Sequence, residues 1–290
     1  MNASALSNVL ILGLRMAAPA AQDASPAPGV PPSPRELRME RLEWAKEVDG
    51  AEPVTAIEVR NDFGDIRARG AEDRRLDATM VVQRLDPSGD KVGFTVERRG
   101  GVVALVVGYP PGRVRDADPH PAKDSYDRLD LVVFVPAGVT LRAHTLRGRV
   151  EARGLKSDVE ASTLDGPIFV RTTGAVQART GSGEVTAWLD AGALAAAGPP
   201  LVLRSDSGPL AVTLPARGDL HLRVETAGEI ASKLALRRAR RAGRTEAALT
   251  PARPARLVLV SSHTGRVAVD REEPARFTPA PAAGSATKEK

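Results

Sequence analysis

The feature that most limits what this chain can fold into is a short pattern that keeps returning. It is a small polar residue, two residues, glycine, one residue, then an aliphatic. It reads Asn61-Asp-Phe-Gly64-Asp-Ile66, Thr145-Leu-Arg-Gly148-Arg-Val150, Thr163-Leu-Asp-Gly166-Pro-Ile168 and Thr180-Gly-Ser-Gly183-Glu-Val185. Further copies are Ser205-Asp-Ser-Gly208-Pro-Leu210 and Ser262-His-Thr-Gly265-Arg-Val267, with a shorter variant at Thr226-Ala-Gly228-Glu-Ile230. Alternation follows the signal: Val150-Glu-Ala152, Val159-Glu-Ala161, Ile168-Phe-Val170, Val176-Gln-Ala178 and Val185-Thr-Ala187 read as successive short strands. They begin about nine residues apart, and the full signal returns roughly every 17 to 18 residues. Arg153-Gly154, Ser157-Asp158, Thr173-Gly174 and Ser182-Gly183 supply turn formers between them.

A strand of three or four residues and a tight turn fit in that half-period. Two such units return the chain above its start, so that successive coils pair as parallel strands ~4.8 Å apart. The glycines are expected where the chain turns with positive φ, which a Cβ would penalise. Val and Ile face inward because branched side chains pack well on a pleated surface, and the alternating Ala keeps the interior thin. Thr145, Thr163 and Thr180 would stack as a hydroxyl ladder that fixes register. The competing reading is an antiparallel sandwich with regular hairpins. The fold class expected is all-β: a parallel β-helix or β-solenoid of short coils with less regular N-terminal strands.

Composition agrees with a thin interior. Aromatics make up 3% of the 290 residues (two Trp, two Tyr, five Phe), too few for a bulky aromatic core or a long aromatic sugar cleft. The absence of cysteine excludes disulfides, thiolate metal sites and a cysteine nucleophile. The net charge of +5, from 41 Lys and Arg against 36 Asp and Glu, is modest and spread, unlike a dedicated nucleic-acid binder.

Residues 1–21 read as a secretory signal peptide. The apolar run Val9-Leu10-Ile11-Leu12-Gly13-Leu14 precedes the small residues around Ala20 and Ala21, where cleavage is expected. The mature product would then be periplasmic, on the outer surface or secreted; without processing it would be cytoplasmic. Residues 22–50 form a Pro-rich linker, densest over Ala24 to Pro34, and a short cap segment. In it Arg35 to Val48 is compatible with a helix or a first strand. Residues 51–270 are the repeat domain and 271–290 a loose Pro/Ala/Lys tail. Val54 to Arg69, Leu76 to Leu85, Gly93 to Val107 and Leu129 to Val135 are longer, less regular strands, locally antiparallel in one reading. Tyr109 to Arg128 is an excursion. Leu201 to Leu214 and Leu220 to Ile230 continue the stack and Leu257 to Val269 closes it. The exposed ends need covers, for which the N-terminal segment and the last strand are the candidates.

Asn61-Asp-Phe-Gly64-Asp-Ile66, Val135-Pro136-Ala-Gly138-Val139 and the Thr-x-x-Gly-x-Val copies resemble the bacterial putative-adhesin domains of unknown function, over roughly residues 50 to 270. The resemblance implies an exported β-solenoid of the cell envelope and carries over no catalytic residue. The chain departs from that pattern in the arginine-rich stretch near Arg237 and in the broken spacing from Asp190 to Pro200.

A search for chemistry returns little. His120, His144, His221 and His263 show no metal-ligand spacing. His144 and His263 adjoin turn signals and read as solvated turn residues, and His120 lies among Asp116, Asp118 and Asp124. Ser182 and Ser207 lack the spacing of a nucleophile elbow, and no phosphate-binding glycine loop occurs. Asp158, Glu160 and Asp165 are the carboxylates to test for polysaccharide cleavage, with Phe169 and Trp188 as the only local rings. Outward columns are expected as Glu151, Phe169 and Thr186, with Arg153, Arg171 and Trp188 beside them and a cation–π contact between Arg171 and Trp188. Arg237, Arg238, Arg240, Arg241 and Arg244 form the one dense basic run, read as a short helix or a loop leaving the stack. By charge it suits polyanions, although a solvated face is the better reading of such a run. No catalytic, cofactor or metal residue is assigned. The function expected is a non-catalytic exported envelope scaffold or adhesin-like surface protein, with envelope polysaccharide or another surface protein as partner, no specific nucleic acid and no transmembrane span after processing. The alternatives are a self-assembling bactofilin-like protein and a polysaccharide-acting β-helix enzyme.

Overall fold

The computed structural model describes residues 38–47, 53–84, 92–109, 128–194, 198–251 and 255–272. The leader, most of the Pro-rich linker, the interior of the Tyr109–Arg128 excursion with His120, and the tail lie outside them. The described residues contain strands and no helix. The first are β1 (Arg38–Glu47), β2 (Ala56–Phe63), β3 (Ile66–Gly70), β4 (Arg75–Arg84), β5 (Gly93–Arg99), β6 (Val102–Gly108) and β7 (Arg128–Val135). Next come β8 (Thr140–Arg147), β9 (Val150–Leu155), β10 (Val159–Asp165), β11 (Ile168–Thr172), β12 (Val176–Thr180), β13 (Val185–Leu189), β14 (Leu201–Ser205) and β15 (Leu210–Leu214). The last are β16 (His221–Thr226), β17 (Ile230–Ala231), β18 (Arg237–Arg241), β19 (Arg244–Leu249), β20 (Leu257–Ser262) and β21 (Val267–Arg271). Of the segment from Arg35 to Val48, open between helix and strand in the sequence, residues 38–47 form strand β1.

Two large, mostly parallel sheets face each other across the core. The ten-stranded sheet runs β1-β4-β7-β3-β9-β11-β13-β15-β21-β17, and the eleven-stranded sheet runs β18-β19-β16-β20-β14-β12-β10-β8-β2-β6-β5. Consecutive strands from β8 to β15 alternate between the sheets, so each pair adds one layer in chain order. Val150, Ile168 and Val185 are neighbours in register in one wall, as are Val159 and Val176 in the other. All five, with Ala152, Val170, Ala161, Ala178 and Ala187, are buried. The inward alternation read from the sequence therefore holds through the regular region.

The repeated signal makes one corner of each layer, and its chemistry is specific. Asn61, Thr145, Thr163, Thr180, Ser205, Ser262 and Thr226 are buried and stack in register. Their side chains do not bond to one another. Each hydroxyl donates to a glycine carbonyl of the adjoining layer: Thr163 to Gly148 at 3.3 Å, Thr180 to Gly166 at 3.1 Å, Ser205 to Gly183 at 3.0 Å and Ser262 to Gly208 at 3.0 Å. The same oxygens accept the glycine N–H of their own layer, from Gly183 to Thr180 at 3.0 Å and from Gly208 to Ser205 at 2.8 Å. A hydroxyl does both at once, which is why Thr and Ser recur where a buried corner would otherwise leave amides and carbonyls unpaired. Asn61 heads the column: its side-chain nitrogen donates to Leu129 O (2.7 Å) and its oxygen accepts the Tyr109 hydroxyl (2.7 Å). Burial raises the Tyr109 pKa well above that of free tyrosine and keeps this hydroxyl a donor.

The expected reason for the glycines holds at part of the column and is not the whole reason. Gly64, Gly148 and Gly166 have positive φ (127°, 155° and 159°), whereas Gly183, Gly208 and Gly265 do not lie in that region. What they share is close approach. A Cβ on Gly148, Gly166, Gly183, Gly208 or Gly265 would fall closer than 3.0 Å to the carbonyl oxygen of the column glycine one layer away. Backbone-on-backbone packing excludes a side chain there whatever the φ. Gly154 is also not at a turn; it lies inside β9 with φ 67°, at a register shift opposite Arg171 and Thr172.

The ends depart from chain order. The β2/β3 layer lies between the β6/β7 and β8/β9 layers. The β20/β21 layer, expected to close the stack, lies between β14/β15 and β16/β17. The last strand is thus interior and is not a cover. At the far end the outermost elements are β17 and the antiparallel β18–β19 hairpin. At the near end β1 and β4 extend one sheet and β5 the other, all antiparallel, as the less regular upstream strands suggested. Leu42 and Trp44 of β1 and Phe94 and Val96 of β5 pack half-buried against the core there, so part of the scarce aromatic volume closes an end. The spacing break from Asp190 to Pro200 is tied down by Arg256, whose guanidinium donates to Pro199 O (2.6 Å) and Ala193 O (3.2 Å).

Candidate functional site

With inward positions of the layers committed to packing and corner hydroxyls to the ladder, the side chains these layers offer to a ligand lie on the two outer faces. On the ten-stranded sheet, Arg69, Arg153, Arg171 and Trp188 follow one another in register, with Phe134 before them and Thr213 after. Glu151, Phe169 and Thr186 form the neighbouring column. Both columns are those the alternation predicts. Their groups pair with one another. Glu151 takes Arg69 at 2.6 Å and Arg153 at 2.7 Å, and is buried beneath them despite its outward position. The Arg153 guanidinium lies 4.4 Å from the Phe169 ring centre, and that of Arg171 lies 5.1 Å from Trp188. The ring faces are thus covered by cations, and this wall reads as self-satisfied surface.

The outer face of the eleven-stranded sheet differs. Arg60, His144, Ser162, Arg179 and Arg204 stand in register on consecutive strands. They line a groove of about 480 Å³ together with Asp62, Asp206, Leu146 and Leu164. His144 is not a turn residue: it lies within β8, half-buried, with Nδ1 2.7 Å from Ser162 Oγ. Burial, its largest influence, lowers its pKa and favours the neutral ring. Arg60 pairs with Glu58 and Arg204 with Asp206. Arg179 has no carboxylate partner among the described residues, and Arg204 stands directly beside it. Leu164, 62% exposed, gives the groove an apolar shoulder. The sequence reading marked none of Arg60, Arg179 or Arg204, although each of the five residues stands immediately before the small polar residue of a repeat copy, a shared position from which the column could have been read.

The basic run forms strands, correcting the helix or loop expected. Arg237, Arg238, Arg240 and Arg241 all lie in β18, fully on the surface, and Arg244 opens β19. Register places Arg238 opposite Ala247, beyond the buried Val224, and Arg240 opposite Thr245, so these two extend the inward face past the end of the core. Charged residues on such an edge discourage pairing with another chain. Arg244 is engaged by Glu225 and by His263 Nδ1 at 2.6 Å.

The carboxylates considered for catalysis are separated. Asp158 precedes β10 and accepts the Ala175 amide (2.7 Å), while Asp165 ends β10 and accepts the Ser182 hydroxyl (2.7 Å). Strand rise puts seven residues at ~23 Å, far beyond the ~5–9.5 Å between the acids of a glycosidase. Glu160 lies beside Arg142 at 3.5 Å on the outer face. Among the described residues no group of His, Asp and Glu is arranged to hold a metal ion, and no helix is long and apolar enough to cross a membrane.

No family model matches the chain, and no curated protein matches it. Two solved structures are similar in outline. One is a putative cell adhesion protein from Clostridium sporogenes, at 8% identity and a TM-score of 0.47, covering 81% of this chain and all (100%) of that one. The other is a putative adhesin from Bacteroides fragilis, at 7% identity and a TM-score of 0.21, covering 80% of this chain and 97% of that one. Likeness this distant leaves the function to be argued from the chain's own residues.

Proposed function

We propose that this chain is a non-catalytic, exported two-sheet β-solenoid that serves as a cell-envelope scaffold with an adhesin-like surface. The observation that carries the reading is where the polar groups go. The repeat's hydroxyls join layer to layer, Asp158 and Asp165 accept corner hydrogen bonds, and Glu151 is enclosed by two arginines. These groups of the described residues are thereby engaged in holding the layers, while long outer faces remain for contact. The leader-like residues 1–21 support export. Expression of the full chain in a bacterial host tests this. Processing near Ala20 or Ala21, recovery outside the cytoplasm and no release of reducing ends from polysaccharides are expected. New reducing ends, or an unprocessed cytoplasmic product, would refute it.

A second element of the proposal concerns β18. Its four arginines hold polyanions by charge, the supporting observation being that no carboxylate pairs with them among the described residues. Their edge position also disfavours end-to-end assembly of the bactofilin type. Affinity for dextran sulfate should fall with added salt and with replacement of these arginines by Gln. Unchanged affinity in the substituted chain would remove this element. Sedimentation of the parent chain should show a monomer at all dilutions; a filament would restore the assembly reading.

A further inference from the structure

We infer that the groove on the outer face of the eleven-stranded sheet binds an acidic polysaccharide, with Arg179 holding the carboxylate of a uronic-acid residue. The inference deepens the proposed surface role, on which its biological setting rests. Its physical basis is independent of export.

Three observations select the ligand class. First, Arg179 and Arg204 are in register on neighbouring parallel strands, hence ~4.8 Å apart in backbone. Like charges so placed repel. Asp206 offsets Arg204 with a hydrogen bond of 3.1 Å, while Arg179 remains uncompensated among the described residues. One bound anion would relieve the pair, and a guanidinium fork matches a planar carboxylate in two-point contact. Second, the groove is chemically mixed. Asp62 and Asp206 line it beside the arginines, and the linked His144–Ser162 pair presents ring nitrogen and hydroxyl. Sugar hydroxyls need acceptors as well as donors, whereas the same two carboxylates oppose a phosphate-dense ligand. This separates the groove from β18, whose arginines are selective only for charge. Third, Leu164 projects at the shoulder with 62% of its surface exposed, a seat for the apolar face of a sugar ring. Phe134 and Trp188, the large aromatics exposed among the described residues, are both on the other sheet, and no Phe, Tyr or Trp lines the groove, so it offers no platform for stacked bases. The groove spans successive strands from β2 to β14, so a linear chain would lie across the strands and meet one outward side chain per layer.

The purified full chain should be titrated with polygalacturonate, with neutral dextran and oligothymidylate as comparisons, by calorimetry at several salt concentrations. Saturable binding of polygalacturonate is expected, with none of dextran. Arg179→Gln should weaken it about tenfold and Leu164→Ser severalfold. Arg171→Gln on the opposite face should leave it within twofold; Gln substitution of the four β18 arginines should remove only a salt-sensitive component and leave the binding that persists at high salt within twofold. Thermal melting of each variant confirms an intact fold, as expected for exposed positions. Equal or tighter binding of oligothymidylate through Arg179, loss of the high-salt binding with the β18 arginines but not with Arg179, or no polygalacturonate binding at all would each overturn the inference. The readouts are separable: a chain that stays in the cytoplasm yet binds through Arg179 refutes export alone, and an exported chain that ignores polygalacturonate refutes the groove alone.

Discussion

The middle of the molecule and its two ends are built from the same signal and obey different rules. From β8 to β15 the order of strands along the chain is their order in space. Toward each end the two part company, since β2/β3 and β20/β21 both occupy interior slots reached from an outlying segment. The reason lies in the corner. Asn61 and Ser262 make the same kind of bond to the next layer as Thr163 does, so a copy of the signal fits any slot. The motif states that a segment is a layer and fixes its inward and outward faces. It does not state which layer. Order is decided by the connections, and from β8 to β15 all of these are short except the one over Asp190 to Pro200.

The sharpest way to break this contrast is to place a methyl group in the glycine column. In Gly183→Ala the new Cβ would meet the Gly166 carbonyl closer than 3.0 Å, where backbone and not a flexible side chain must yield. A loss of about 3 kcal/mol or more is expected, read as a fall in urea midpoint. Gly93→Ala in edge strand β5, with no atom within 4 Å of its Cβ, should change stability by less than about 1 kcal/mol. Comparable losses in the two would mean that the column does not distinguish the regions.

Next in size is Thr180→Val, which keeps the shape and removes the group bonding Gly166 O and Gly183 N. Leaving both unpaired in a buried corner should cost about 1–3 kcal/mol, and Thr180→Ser should recover most of it. Smaller again is Arg171→Ala. Loss of its contact with Trp188 should remove about 0.5–1 kcal/mol. The coupling should vanish in a double-mutant cycle with Trp188→Leu if packing alone is at work.

The smallest expected effect is a pH dependence. Burial lowers the His144 pKa below its ordinary value of about 6.5, with Glu58, Glu160, Arg60 and Arg142 acting in opposite senses around it. The folded state therefore binds fewer protons there than the unfolded state. This contribution is complete above about pH 6.5 and is lost as pH falls through the folded pKa. The melting temperature of His144→Asn should decline less between pH 7 and 5.5 than that of the parent; an equal decline would locate the dependence elsewhere.

Much of the regular region was legible in the residues: inward Val and Ala, the ladder of Thr145, Thr163 and Thr180, and the pairing of Arg171 with Trp188 all follow from alternation and period. Local sequence determines those features. The purpose of the glycines was read only in part: positive φ at Gly64, Gly148 and Gly166 follows from the turn, whereas close approach depends on the neighbouring layer and leaves no trace in a single turn. The strand at Arg237–Arg241 was hidden because its side chains face solvent on both sides, which erases the alternation a half-buried strand shows. The groove was missed for a different reason: Arg60, His144, Ser162, Arg179 and Arg204 share the position before the small polar residue of each copy, but meet only once the layers are stacked.

The interior position of β20/β21 has a mechanical consequence. A pull applied after Glu272 does not lift an outermost strand. It acts on a layer hydrogen-bonded on both sides, to β14 and β16 in one wall and to β15 and β17 in the other. Extraction of β21 must rupture its bonds to β15 and β17, and β20 then comes away from β14 and β16, so the chain is anchored at this end more firmly than by an outermost strand bonded on one side. Where forced unfolding is governed by the rate of opening, such a module would hold its tether longest when tension enters from the C-terminal side.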